Sequence, residues 1–241
     1  MQMADNTTEI VFILDRSGSM GGLEDDTIGG FNSMLAKNKK SEGEAYVTTI
    51  LFDDKVETLH DREDIKEVKP ITENEYYVRG CTALLDAVGR TISHIASVHK
   101  SLKENKPQKT IFIITTDGQE NASKEYNKKS VKDLIEKQKK ESGWEFIFLG
   151  ANIDAAETAE SIGIDRKRAV NYRNDSKGVQ INFDVMGSAI QCMMEAPMRM
   201  MKSRKSAADE CCAEACPEEP SFDEQWEKMR GKIDEDFQNR K

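Results

Sequence analysis

The chain has 241 residues, room for one generous domain or for a domain with an appendage. Its 35 Lys and Arg against 44 Asp and Glu leave a formal net charge of −9, which argues against sequence-independent binding to nucleic acid or to an anionic membrane. Hydrophobic residues at 37% and charged residues at 33% describe a real core with a polar segment outside it.

The opening residues lack the basic start and apolar stretch of a signal peptide. No apolar run approaches the roughly 18 residues of a membrane span. The expectation is an intracellular, cytoplasmic protein. Five scattered cysteines argue against a disulfide framework.

Taken in chain order, residues 9–14 form the first short apolar run and are read as a strand. Ile28, Phe31, Met34 and Leu35 then make a helical stripe. Residues 45–52 read as a second strand, and Asp53-Asp54 as a tight turn into a weaker strand at 55–59, which is expected to be antiparallel and at an edge. Leu85, Val88, Ile92 and Ile95 make the next helix. Strands are expected at 110–115 and 144–149, with a sixth at 168–172. Between and after them lie stripes through Val131, Leu134 and Ile135, through Ala155, Ala159 and Ile162, and through Val179, Phe183, Met186, Ile190 and Met193. Continuous rather than alternating apolarity points to strands covered on both faces. Strand–helix alternation implies an α/β fold with a doubly wound, mostly parallel sheet flanked by helices. In such sheets the ligand site lies beyond the carboxyl ends of the strands, where the strand order reverses.

Composition shifts near Pro197. The expected division is a domain over 1–200 and a polar tail or interaction helix over 201–241, mobile or docked as one helix around Trp226.

The chemistry concentrates in Ile13-Leu14-Asp15-Arg16-Ser17-Gly18-Ser19-Met20. An Asp closes an apolar strand, and hydroxyls follow two and four residues later. Such hard oxygen donors suit Mg²⁺ or Mn²⁺ better than zinc. Asp117 follows the strand at 110–115, and Thr82 stands just before a helix. Taken singly, each residue also fits a turn or a helix cap. Together they open at one sheet edge if their strands are adjacent and parallel.

Asp15-x-Ser17-x-Ser19, Thr82 in Gly80-Cys81-Thr82-Ala83-Leu84, and Asp117 in Thr116-Asp117-Gly118 closely resemble the metal-ion-dependent adhesion site of a von Willebrand factor type A domain. The segment from Leu149 to Asp154 is similar to one in bacterial intracellular members. Cys81 stands where the family more often has Gly. The resemblance implies a Rossmann-like six-stranded sheet of order 3-2-1-4-5-6 with strand 3 antiparallel. It implies that Ser17, Ser19 and Thr82 supply hydroxyl oxygens to a cation, and that Asp15 and Asp117 bind it directly or through water. The expected cofactor is Mg²⁺, with Mn²⁺ or Ca²⁺ as alternatives.

The function expected first is a non-enzymatic adaptor whose bound cation takes an Asp or Glu from a protein partner, without nucleic acid or membrane. A metal-dependent hydrolase is the alternative, with Asp53, Asp54 and Glu120 as the carboxylates to check. A structural module with a non-bridging ion is the third reading. His60, His94 and His99 lie away from the motifs, and His99 continues a helix stripe. Cys211, Cys212 and Cys216 lack the spacing of a zinc site and read as tail thiols. Met193, Met194, Met198, Met200 and Met201 read as helix core rather than a soft groove. The Lys-rich stretches at 37–40 and 124–140 read as solvated faces. No phosphate loop or Gly-x-Gly-x-x-Gly motif supports nucleotide binding.

Overall fold

The computed structural model describes residues 7–102, 106–209 and 220–240, with 196–209 as backbone alone. Its strands are β1 (Thr7–Asp15), β2 (Glu44–Phe52), β3 (Val56–Asp64), β4 (Lys109–Thr116), β5 (Glu145–Gly150) and β6 (Ala169–Asn171). Its helices are α1 (Glu24–Asn38), α2 (Leu84–Leu102), α3 (Lys128–Ser142), α4 (Ala155–Ser161), α5 (Ser176–Asp209) and α6 (Phe222–Asn239). The sheet runs β3-β2-β1-β4-β5-β6, with β3 antiparallel to β2 and every other pair parallel. The fold is the Rossmann-like α/β architecture implied by the sequence.

The apolar runs are continuous because both faces of the central strands are covered. Ile10, Phe12 and Leu14 of β1 pack with Phe31, Met34 and Leu35 of α1 and Phe183, Met186 and Ile190 of α5. Val11 and Ile13 point the other way, toward Leu85, Val88 and Ile92 of α2 and Val131 and Ile135 of α3. Residues 111–114 of β4 divide between the same two layers by the same alternation. Each fully buried Leu, Ile or Phe contributes about 1.5–3 kcal/mol.

β3 runs to Asp64, beyond the expected 59, because an edge strand with a single fully buried residue, His60, carries polar residues that hide it in the sequence. Residues 65–82 have no regular element, yet they bury Ile65, Val68, Ile71 and Tyr76 in the α1/α5 layer.

The helix expected around Trp226 is α6. Ser221 caps it, accepting the Glu224 N–H while the Glu224 carboxylate accepts the Ser221 N–H. Phe222, Trp226, Met229 and Ile233 recur at spacings of four, three and four. Trp226 and Ile233 are buried in the same layer as α1 and α5, and Phe222 and Met229 pack against it. The Trp226 indole Nε1 donates to the Lys167 carbonyl at 2.7 Å. α5 runs through Pro197 and across the expected division at 200/201. Cys211, Cys212 and Cys216 lie outside the described residues, as do the side chains of Met198, Met200 and Met201. Met193 and Met194 are core residues, as expected. Among the described residues no helix is long and apolar enough to cross a membrane.

Trp226 is 1% exposed, so its truncation opens a large cavity in the α5/α6 layer. Trp226→Ala is expected to cost about 3–5 kcal/mol in urea unfolding, monitored on the sheet by far-UV circular dichroism. An unchanged midpoint would mean that α6 unfolds independently of the sheet.

Candidate functional site

β1 and β4 are neighbours, and the chain leaves them on opposite sides of the sheet, the topology at which α/β sheets place a ligand crevice beyond the carboxyl ends of the strands. Asp15 is the last residue of β1 and Thr116 the last of β4. The Thr116 hydroxyl donates to Asp15 Oδ2 at 2.6 Å, and the Ser17 N–H donates to Asp15 Oδ1 at 2.7 Å. A 3₁₀ turn over Gly18–Met20 then folds the chain back. That turn brings Ser19 Oγ to 3.0 Å from Ser17 Oγ. Ser19 Oγ donates to Asp117 Oδ1 at 2.6 Å. With the Ser19 hydrogen on Asp117, the Ser17 hydroxyl donates to Ser19, and its lone pairs remain available.

Thr82 reaches the same place from the α2 side. Its N–H donates to Asn121 Oδ1 at 2.9 Å, and its carbonyl accepts from the N–H groups of Asn121 and Ala122. A Cβ on Gly118 would lie 3.2 Å from both Ser19 Oγ and Thr82 Oγ1. Glycine keeps clear the space toward which the two hydroxyls converge. Asp15, Ser17, Ser19, Thr82 and Asp117 therefore stand together at one edge of the sheet.

The electrostatics are unusual. Asp15, Ser17, Thr82 and Asp117 are all buried. Burial pushes the Asp15 carboxyl up to about 6, against the pull of the Thr116 and Ser17 donors, and the nearby Asp117 adds to the rise. Burial also raises Asp117. Asp117 takes its second hydrogen bond on Oδ2 from Asn174 Nδ2 at 3.1 Å. The donors to both carboxylates are neutral, and among the described residues neither carboxylate has a Lys, Arg or His partner. Two carboxylates and three hydroxyls form a hard, all-oxygen donor set. It fits Mg²⁺, Mn²⁺ or Ca²⁺. Among the described residues no group of three or more His, Cys, Asp or Glu side chains is placed to hold a metal ion, so the acidic part of this set is the two aspartates alone.

Paired charges behind these residues fix the loops. Arg16, the residue after β1, turns to Asp53 and not to Asp15. Its Nε donates to Asp53 Oδ2 at 2.9 Å, and Arg79 Nε donates to the same oxygen at 2.8 Å. Burial alone would raise Asp53, but Arg79, the Lys55 N–H and Arg16 together hold it below the usual carboxylate range. The Asp53 carbonyl accepts from the Ala83 N–H at 2.8 Å, and the Arg79 N–H donates to the Arg16 carbonyl at 3.0 Å. Gly80 has φ +67°, and a Cβ there would stand 2.4 Å from Asp54 Oδ1, so the turn into Thr82 requires glycine. Tyr76 Oη donates to the Asp15 carbonyl at 2.6 Å. Asp86 accepts the N–H groups of Lys124, Glu125 and Tyr126, and Glu120 accepts that of Leu85, which pins the loop after Asp117 to α2.

Thr116, Tyr76, Asn174, Arg16 and Arg79 were not legible as site residues, and Asp53 was legible only as a carboxylate to check. Only Thr116 carries a local signal, as the strand residue before Asp117. Of the histidines, His99 is buried against Glu9 at the opposite end of β1, and His94 pairs with Asp61 at 2.8 Å. His60 is buried on β3. Asp53 and Glu120 are engaged in holding loops.

The model of the von Willebrand factor type A domain matches residues 9–184. No curated protein matches the chain. Among solved structures, the chain is similar to the PilB minor pilin from Streptococcus sanguinis, at 14% identity and a TM-score of 0.55, over 78% of this chain and 62% of that one. It is similar to proximal thread matrix protein 1 from the mussel byssus, solved with a zinc-occupied MIDAS motif, at 16% identity and a TM-score of 0.53, over 77% of this chain and 46% of that one. It is also similar to the pilus adhesin SpaC from Lactobacillus rhamnosus GG, at 13% identity and a TM-score of 0.56, over 77% of this chain and 30% of that one. At these identities the likeness is one of fold. The chain spans less than two thirds of the length of each of these three structures.

The raised Asp15 pKa has a sign that can be measured. Between about pH 4, where an unfolded Asp ionises, and about 6, the folded state holds the extra proton. Stability contributed by that proton is present at low pH and is lost as pH rises through this window. In chelator, wild type is expected to lose about 2–3 kcal/mol relative to Asp15→Asn across the window, read by urea unfolding. A difference that does not change with pH would contradict the burial of an ionisable Asp15.

Proposed function

The chain belongs to the von Willebrand factor type A domain family, and we propose that it is a protein-binding module that holds its partner through a divalent cation. Domains of this family are generally non-catalytic binding modules, typically dependent on a metal. The observation that carries the proposal is the pair of buried carboxylates, Asp15 and Asp117, supported only by neutral donors and facing three hydroxyls.

In this reading Asp15, Ser17, Ser19, Thr82 and Asp117 hold Mg²⁺, with Mn²⁺ or Ca²⁺ as substitutes. A bound cation would keep a coordination position for one more oxygen, because two carboxylates and three hydroxyls supply at most five of the six donors that octahedral Mg²⁺ takes. A partner's Asp or Glu meets that need. The contact surface is then the loops at 17–22, 80–84 and 117–121. Tyr77 extends it: the ring is 41% exposed, with the guanidinium groups of Arg16 and Arg79 5.2 and 5.1 Å from its centroid. The net charge of −9 opposes an acidic partner at long range, so recognition rests on these local contacts.

The hydrolase reading finds less support. Asp53 is bound to two arginines, and Glu120 accepts the N–H groups of Leu85, Ala122 and Ser123. Neither is placed to act as a general base. The ion-only structural module differs from our reading in one respect, the partner's carboxylate. The bacterial intracellular type and a cytoplasmic setting belong to the same proposal, supported by the resemblance at Leu149–Asp154.

Partners retained from native lysate by the immobilised protein in Mg²⁺ test this directly. The specific fraction is expected to fall at least tenfold in EDTA and equally on Asp117→Ala, with chelator adding little to the variant. Far-UV circular dichroism should show the variant folded, since it loses a side chain from a loop, not from the apolar layers. Undiminished retention in EDTA would exclude the ion bridge.

A further inference from the structure

Asn174 lies in the loop between β6 and α5, 57 residues beyond Asp117 and outside the three loops of the resembled motif. That loop ends at the same edge of the sheet. Asn174 Nδ2 donates to Asp117 Oδ2 at 3.1 Å, while Ser19 Oγ holds Oδ1. Both oxygens of Asp117 are thus fixed. The amide cannot turn over, because its oxygen would then face a carboxylate that only accepts hydrogen bonds.

The loop itself is anchored on several sides. The Tyr172 N–H donates to the Gly150 carbonyl at 2.9 Å. Asp175 accepts the Gly178 N–H at 2.8 Å at the start of α5. Arg240, at the end of α6, pairs with Asp175 at 2.9 Å. Arg173 donates to the Phe237 carbonyl at 3.0 Å. The backbone on either side of Asn174 is therefore held by β5, α5 and α6, and the amide is delivered to Asp117 in a fixed place.

The choice of side chain matters. A Lys or Arg here would neutralise Asp117, whereas an amide orients the carboxylate and leaves its full charge. The other end of the same amide, Oδ1, is buried without a hydrogen-bond partner. A buried acceptor of this kind is costly unless a donor arrives. A hydrated cation held by Asp117 brings such donors in its bound water.

We infer that Asn174 is a positioning residue for the cation site: it orients Asp117 through Nδ2 and offers Oδ1 to the hydration shell of the ion. This rests on the ion-binding reading above. Outer-shell partners of metal ligands characteristically change metal affinity by about 10–100-fold.

The test uses the full chain and Mn²⁺ alone, with free Mn²⁺ counted by electron paramagnetic resonance. Wild type is expected to bind one Mn²⁺ per chain, and Asp117→Ala to lose it. Asn174→Leu, which keeps the shape, and Asn174→Ala are both expected to weaken Mn²⁺ by at least tenfold. Their thermal midpoints in EDTA should stay close to wild type, which separates positioning from packing. Wild-type affinity in both Asn174 variants would overturn the inference and leave the ion site standing. Failure of wild type to bind Mn²⁺ would overturn the ion site itself, and the inference with it.

Discussion

Two buried carboxylates at the ends of adjacent parallel strands, each supported only by neutral donors, are the constraint around which the rest of the site is arranged. Asp15 is 1% exposed, and burial raises its pKa to about 6. That rise corresponds to about 3 kcal/mol working against the ionised form at neutral pH. A fold that wanted only stability would place a Lys or Arg beside Asp15, or an apolar residue in its place. Here Thr116, the Ser17 N–H, Ser19 and Asn174 orient the two carboxylates without cancelling their charge. Negative potential is concentrated at the one point on the sheet edge where three hydroxyls also converge.

Arg16 sharpens the contrast. It lies between Asp15 and Ser17 in the chain, and its side chain is fully buried. Its side chain turns to Asp53 and Glu57, which accept its guanidinium at 2.9 and 2.5 Å. Asp53 thus keeps the nearest cation away from the site. The same carboxylate binds Arg79, and its backbone carbonyl receives Ala83, so the residues on both sides of Thr82 are tied to the turn after β2. Charges are paired where they hold loops together, whereas among the described residues Asp15 and Asp117 have neutral partners only.

The sheet was legible in the sequence because its strands are short apolar runs buried on both faces, and because helical stripes separate them. Asp15, Ser17, Ser19, Thr82 and Asp117 could be brought to one edge because each lies within four residues of a strand or helix end. What was hidden depends on partners distant in the chain. Asn174 has no local signature, and its place beside Asp117 follows from how β6 packs on β5. The segment at 65–82 carries no periodicity, since its apolar residues fill gaps one at a time. α6 reads as polar because only one stripe of an 18-residue helix is apolar. The composition shift near Pro197 falls inside a helix that continues to Asp209.

The central claim is that Asp15 and Asp117 are left unpaired to receive a cation. Anomalous diffraction from crystals of the full chain grown with Mn²⁺ measures this most directly. The account predicts one strong peak per chain, within about 2.0–2.6 Å of oxygens drawn from Asp15, Ser17, Ser19, Thr82 and Asp117, directly or through bound water. The account is contradicted if saturating Mn²⁺ gives no peak at this edge of the sheet while a peak appears elsewhere on the chain.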